Sequence, residues 1–241
     1  MRIVRKGIRT MVSAPTSIHK LLGLLQLASP ALPIGGFSYS QGLESAVEMR
    51  LVYDAESAQT WIQTGLEAML GANELPMLAT LHRAWERKNY QEVKLKNAWF
   101  LASRESLELR QETEQMGWSL AQLALRLNWH DRARQAALQE LKPICLPAAF
   151  AYAAGALGID DESCVAAYTF IWVENQVAAA VKAIPLGQIA GQKILYSMHG
   201  LASSLALKAI DTDPEQISTF APHLAILSAR HANQYSRLFR S

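Results

Sequence analysis

Residues 160–184 read DDESCVAAYTFIWVENQVAAAVKAI, and the spacing within this run decides the fold class. Asp160, Asp161 and Glu162 open it, where the partial positive charge at a helix N-terminus favours carboxylates. Val165, Tyr168, Trp172, Val173, Gln176 and Ala180 then fall on one face at helical spacing. Lys182 stands in the last turn, where a cation suits the helix dipole, and Pro185 with Gly187 breaks the pattern.

The same periodicity extends in both directions. Leu and Ala dominate, and no segment carries the sustained period-two alternation of a half-buried strand, so the sequence predicts an all-α chain. Ser17 caps a first helix with Ile18, Leu21, Leu22 and Leu25 on one face, ending near Ser29 because Pro30 disfavours α geometry before it. A Pro/Gly loop through Gly36 leads to a short helix from about Ser38 to Met49. Asp54 caps the next, which carries Ala58, Trp61, Ile62, Leu66 and Met69 and ends at Gly71. Leu75, Leu78, Leu81, His82 and Trp85 mark another. A long periodic stretch from about Tyr90 to Leu127 is expected to bend or break near Gly117. Pro143 and Pro147 precede an Ala-rich segment ending at Gly158. After Pro185 a further helix runs to about Leu207, and Asp213 with Pro214 provides a cap and first-turn proline. The expected architecture is a single-domain bundle of roughly eight to ten helices spanning 17–241, behind a disordered or extended segment 1–16.

At 241 residues, half of them hydrophobic, the chain can bury roughly 70–75% of its unfolded surface without disulfides or metal. A formal charge of +2 gives no field to steer nucleic acid or anionic membrane. Cys145 and Cys164 have neither Cys-x-x-Cys spacing nor a disulfide-dense context, which fits small buried hydrophobes in a reducing cytosol. Arg2, Arg5, Lys6 and Arg9 lie in an N-terminal stretch that lacks a signal peptide's apolar core. No charge occurs between Lys20 and Glu44, yet Pro30, Pro33, Gly35, Gly36 and Gln41 interrupt that run, so it does not read as a membrane span.

The sequence has no phosphate loop of the G-x-x-x-x-G-K-[ST] type and no G-x-G-x-x-G after a strand, so any nucleotide hydrolysis is expected of a partner. The six histidines (His19, His82, His130, His199, His223 and His231) are scattered, with no H-x-H or H-E-x-x-H to build a tight transition-metal site from one segment. A G-x-S-x-G nucleophile elbow is absent too. Neither cofactor nor metal is expected.

Three stretches carry a resemblance. Residues 27–44, LASPALPIGGFSYSQGLE, resemble the LPIGGFSYSQGLE signature of the UreF family of urease accessory proteins. Residues 182–192, KAIPLGQIAGQ, are similar to that family's KxxPLGQxxGQ helix junction, and the tail from Ser228 through Ser241 follows its C-terminal pattern. A fourth, weaker match is a charged helix with Ser103, Arg104, Glu105, Glu108, Leu109, Arg110 and Gln115 to Gly117; Ser106 and Leu107 depart from the family there. The resemblance implies a non-catalytic, all-helical, cytoplasmic protein that dimerises, binds UreD (UreH in some organisms) and recruits the GTPase UreG to the urease apoprotein for nickel insertion.

On that footing the expected partner-binding residues are Tyr39, Gln41, Glu44, Lys182, Gln188, Tyr235, Arg237, Leu238, Phe239 and Arg240. Glu44 is the candidate GTPase contact, against the plainer reading of a solvated helix acid. Lys182 and Gln188 are candidates for the surface that modulates the GTPase, although the helix dipole alone explains Lys182. Arg104 with Glu108, and Arg110 with Glu114, read as ordinary i,i+4 surface pairs. Residues 216–241 hold three arginines and no acid. A helical turn there would gather Tyr235, Leu238 and Phe239 on one face, to order against UreD or to dock on the chain's own core. Two other classes compete: a helical adaptor with a client other than urease, and a helical enzyme whose site is assembled from separated residues.

Overall fold

A computed structural model describes residues 17–218 together with Leu238 and Phe239. Among these residues every regular element is helical, and the buried apolar side chains form one continuous cluster. The expected segment 1–16 lies outside the described residues.

The organising element is the run that opened the sequence reading. Helix α9, Asp161–Ala183, is capped by Asp160, whose side chain accepts from the Ser163 amide. Its expected face is buried: Val165, Tyr168, Trp172, Val173, Gln176 and Ala180 are all 8% exposed or less. Length and hydropathy alone would let α9 cross a membrane, but it packs against α1 (Ser17–Leu27), α2 (Leu43–Glu48), α3 (Ala55–Gly65), α4 (Leu75–Glu86), α10 (Gln188–Ser197) and α11 (His199–Asp211). A second helix, α8 (Leu146–Ala156), is nearly all alanine and aromatic and lies between α4 and α6 (Leu107–Arg126). Its small side chains leave room for large buried rings nearby: Trp85 meets Tyr152 edge-on at 5.1 Å, Phe150 meets Tyr168 edge-on at 5.1 Å, and Phe100 is fully buried.

Several boundaries differ from the sequence reading, each for a local reason. Gly71 does not end α3: the chain runs on through a π-helical stretch, Leu66–Glu74, into α4. The glycine serves packing, since a Cβ there would stand 3.1 Å from Leu205 Cδ2. The long stretch breaks after α5 (Tyr90–Ala102), where Ser106 caps α6 by accepting from Leu109 N. Gly117 sits inside an unbroken α6, where a Cβ would come within 2.5 Å of the Ile144 carbonyl oxygen. That glycine marks a close helix–loop approach, which sequence pattern reads as a break. Helix α7, Arg132–Glu140, had no counterpart in the sequence reading, and the helix expected up to Leu207 divides at Met198 into α10 and α11. The turn after Asp213 is a short 3-10 helix, Pro214–Gln216.

The apolar stripe of α1 faces outward: Ile18, Leu21, Leu22 and Leu25 are 54–70% exposed. The inward positions are Gly23 and Leu27, and Gly23 rides on Leu157, whose Cβ would lie 3.0 Å from an added methyl. Both cysteines are free and buried, and burial pushes the Cys145 thiol up to about 12.

A surface where loop, helix end and tail meet

The loop before α2 is shaped by left-handed backbone at Gly35 (φ 80°), Gln41 (φ 50°) and Gly42 (φ 85°). Glycine adopts such angles freely, whereas glutamine needs compensation. Gln41 finds it in its side chain: Nε2 donates to Glu112 Oε1 on α6 at 2.7 Å, and Trp172 Nε1 on α9 donates to Gln41 Oε1 at 2.7 Å. Gln176 Nε2 also donates to the Ser40 carbonyl at 3.4 Å. Gln41 is therefore a strut tying the loop to two helices, and Tyr39, 8% exposed, also points into the body.

Glu44 follows in the first turn of α2 and is 8% exposed, so the solvated-acid reading does not hold. Its two oxygens accept successive backbone amides of the tail, from Leu238 N at 2.6 Å and Phe239 N at 3.2 Å. A carboxylate taken from water needs such donors. Lys182, at the end of α9, donates to the Leu238 carbonyl at 3.4 Å and lies 4.7 Å from the centre of the Phe239 ring, a cation–π distance. Phe239 is 6% exposed and Leu238 53%. The two occupy a bend, not a helical turn, so they do not share a face as expected. Tyr235, Arg237 and Arg240 lie outside the described residues. Gln188 stands exposed at the first position of α10, beyond the kink at Pro185.

Behind the loop is a polar cluster that sequence reading missed. Arg104, its side chain 5% exposed, pairs with Glu74 rather than with Glu108: Nη1 donates to Glu74 Oε1 at 2.9 Å. Tyr168 donates its hydroxyl to the other Glu74 oxygen at 2.8 Å. Desolvation raises the Tyr168 pKa well above the ordinary phenol value, and the Glu74 charge adds to it. The signal available in the sequence was an acid that directly precedes an apolar run, Glu74 before Leu75, Pro76, Met77 and Leu78. The second expected pair is present: Arg110 Nε meets Glu114 Oε1 at 2.9 Å on the surface.

Two histidines are held by backbone carbonyls. His82 Nε2 lies 2.9 Å from the Ile159 oxygen. His130 Nε2 lies 2.9 Å from the Tyr152 oxygen, while Arg134 Nη1 approaches its Nδ1 at 2.9 Å. An arginine only donates, so Nδ1 must be the acceptor and the ring neutral, with its proton on Nε2. Desolvation lowers both imidazole pKa values. Among the described residues no three His, Cys, Asp or Glu side chains gather as a metal-ion group.

Fold and surface together define an all-α bundle that clamps a chain segment between a helix-start carboxylate and a helix-end ammonium. A family model, UreF, matches residues 52–199, well over half of the chain. The protein belongs to the UreF family, and its function is that of a urease accessory protein. The matched span includes the whole 182–192 junction and the charged α6 region, and lies C-terminal to the 27–44 signature.

Proposed function

We propose that this protein is the non-catalytic scaffold of urease maturation: it binds UreD/UreH, recruits and modulates the GTPase UreG, and so supports nickel insertion into the urease apoprotein. It does so in the cytoplasm and as a homodimer. The observation that carries this reading is the meeting of three sequence stretches far apart in the chain. Glu44 comes from the 27–44 signature, Lys182 from the helix junction and Leu238 with Phe239 from the tail. A loop, a helix end and a chain terminus joined through a buried carboxylate give a polar, shaped surface of the kind protein partners use.

In this reading Glu44 and Lys182 act by holding the tail, and Gln41 and Tyr39 by holding the loop, while Gln188 and Leu238, with Tyr235, Arg237 and Arg240, are the residues that bind partners. Nucleotide and nickel chemistry belong to the partner GTPase.

The test is a pull-down from a urease-producing cell with this protein as bait, scored for UreD/UreH, UreG and urease subunits. Glu44→Gln and Leu238→Ala, the latter at a half-exposed side chain, should each lower recovery at least several-fold while the melting profile of the bait holds. Recovery of an unrelated client with none of the urease proteins would replace the reading with that of a general helical adaptor.

A further inference from the structure

The space behind the signature loop is a partly open cavity of about 50 Å³, room for roughly three or four water-sized positions. The loop closes one side through Gly36, Tyr39 and Gln41, and α6 and α9 close others through Met116 and Trp172. Arg104 lines it. Its Nη1 and Nη2 donate to Glu74 and to Ser103 Oγ, and its guanidinium lies 4.0 Å over the Phe100 ring, but its buried Nε–H has no partner among the described residues. An arginine N–H shut away from water without an acceptor is costly enough that something usually meets it.

The charges around the cavity narrow the chemistry. Glu74 balances Arg104, and Glu112 adds a further carboxylate, so an anion is repelled; a cation would sit beside the guanidinium. A neutral molecule with both a carbonyl oxygen and N–H groups suits the lining: the oxygen meets Arg104 Nε–H, and the N–H groups meet the Glu112 carboxylate and the Asn175 amide oxygen. Apolar walls from Met116, Leu109 and Ile171 would take a methyl-sized remainder.

We propose that this cavity is a binding site for a small neutral primary amide, with Arg104 as its anchor and the loop, pinned by Gln41 to Glu112 and Trp172, as its lid. The site involves no partner protein and stands apart from the urease reading. Ligand and lid are coupled. Release of both Gln41 hydrogen bonds widens entry on the loop side, and an occupied cavity holds the loop closed.

The experiment titrates acetamide onto the full chain and follows it by saturation-transfer NMR, with a crystal soaked in acetamide alongside. The expected result is saturable one-to-one binding, with the amide oxygen at Arg104 Nε in the crystal. Met116→Trp, which fills the cavity, should weaken binding at least tenfold; Asn175→Leu, from a half-buried position, should do so several-fold and serves if the tryptophan variant does not fold. Gln41→Ala should speed acetamide exchange and deuterium uptake at residues 34–42. The proposal is overturned by an absence of saturable binding, by unchanged affinity in a folded cavity-filled variant, or by a soaked crystal with only water in the cavity.

Discussion

Replacing Arg104 by methionine tests the buried cluster from which the loop side of the fold is built. The side chain is 5% exposed and its partner Glu74 11%, so the change keeps most of the packing volume while stranding a carboxylate with the Tyr168 hydroxyl as its remaining donor in this cluster. Breaking one side of a buried pair costs about 3–5 kcal/mol. For a domain of this size each kcal/mol moves the melting temperature by about 2–4 °C, so Arg104→Met should melt roughly 6–20 °C lower. Equilibrium denaturant unfolding and a thermal scan measure both quantities. Glu74→Gln on top of Arg104→Met should recover more than half of the loss, because it removes the stranded charge. Arg110→Met at the exposed pair should cost less than 1 kcal/mol. The reasoning is refuted if Arg104→Met stays within 1 kcal/mol of wild type, or if the second substitution adds to the loss.

Gly117→Ala should destabilise by about 1–3 kcal/mol or more, because the new methyl meets the Ile144 carbonyl and Cys145 backbone, which cannot step aside like a side chain; denaturant unfolding checks it. His82 and His130 are neutral in the fold with pKa values below the ordinary 6.5, so the unfolded chain binds the extra protons. Stability should therefore fall as pH drops from about 6.5 toward the folded-state values, and His130→Gln should flatten part of that slope in melting curves taken between pH 7.5 and 5. Glu44→Ala should raise deuterium uptake at Leu238 and Phe239 while leaving the α8 and α9 amides protected, since both tail amides are held by that one carboxylate and can open locally. Equal loss of protection across the bundle would contradict that picture.

The helical class was legible because α9 and α4 carry apolar residues at helical spacing, and α9 also runs between clear signals, an acidic start at Asp160 and a basic last turn at Lys182 before Pro185. Asp54 was legible for the same reason, its carboxylate and Ser57 forming a reciprocal cap. Glycine misled twice. Gly71 and Gly117 look like breaks in a one-dimensional pattern, yet Gly71 sits in tight contact with Leu205, and at Gly117 the loop backbone comes too close for a Cβ. The α1 stripe misled in another way, because periodicity reveals an apolar face without saying what covers it. At the candidate site, the resemblance singled out Glu44, Lys182 and the tail but not the contact between them. That contact spans 194 residues between Glu44 and Leu238, and no local pattern encodes it. Arg104 was misassigned because i,i+4 spacing suggests a helix-surface pair, whereas Arg104 precedes the Ser106 cap and turns inward to Glu74.

The central claim is most directly tested by reconstituting urease activation from purified apo-urease, UreD/UreH, UreG, nickel, bicarbonate and GTP, with and without this protein. The account predicts that activity rises severalfold or more only when the protein is present, and that Glu44→Gln lowers that gain while leaving the melting temperature of the protein unchanged. Full activation in its absence, with no further gain on adding it, would contradict the account.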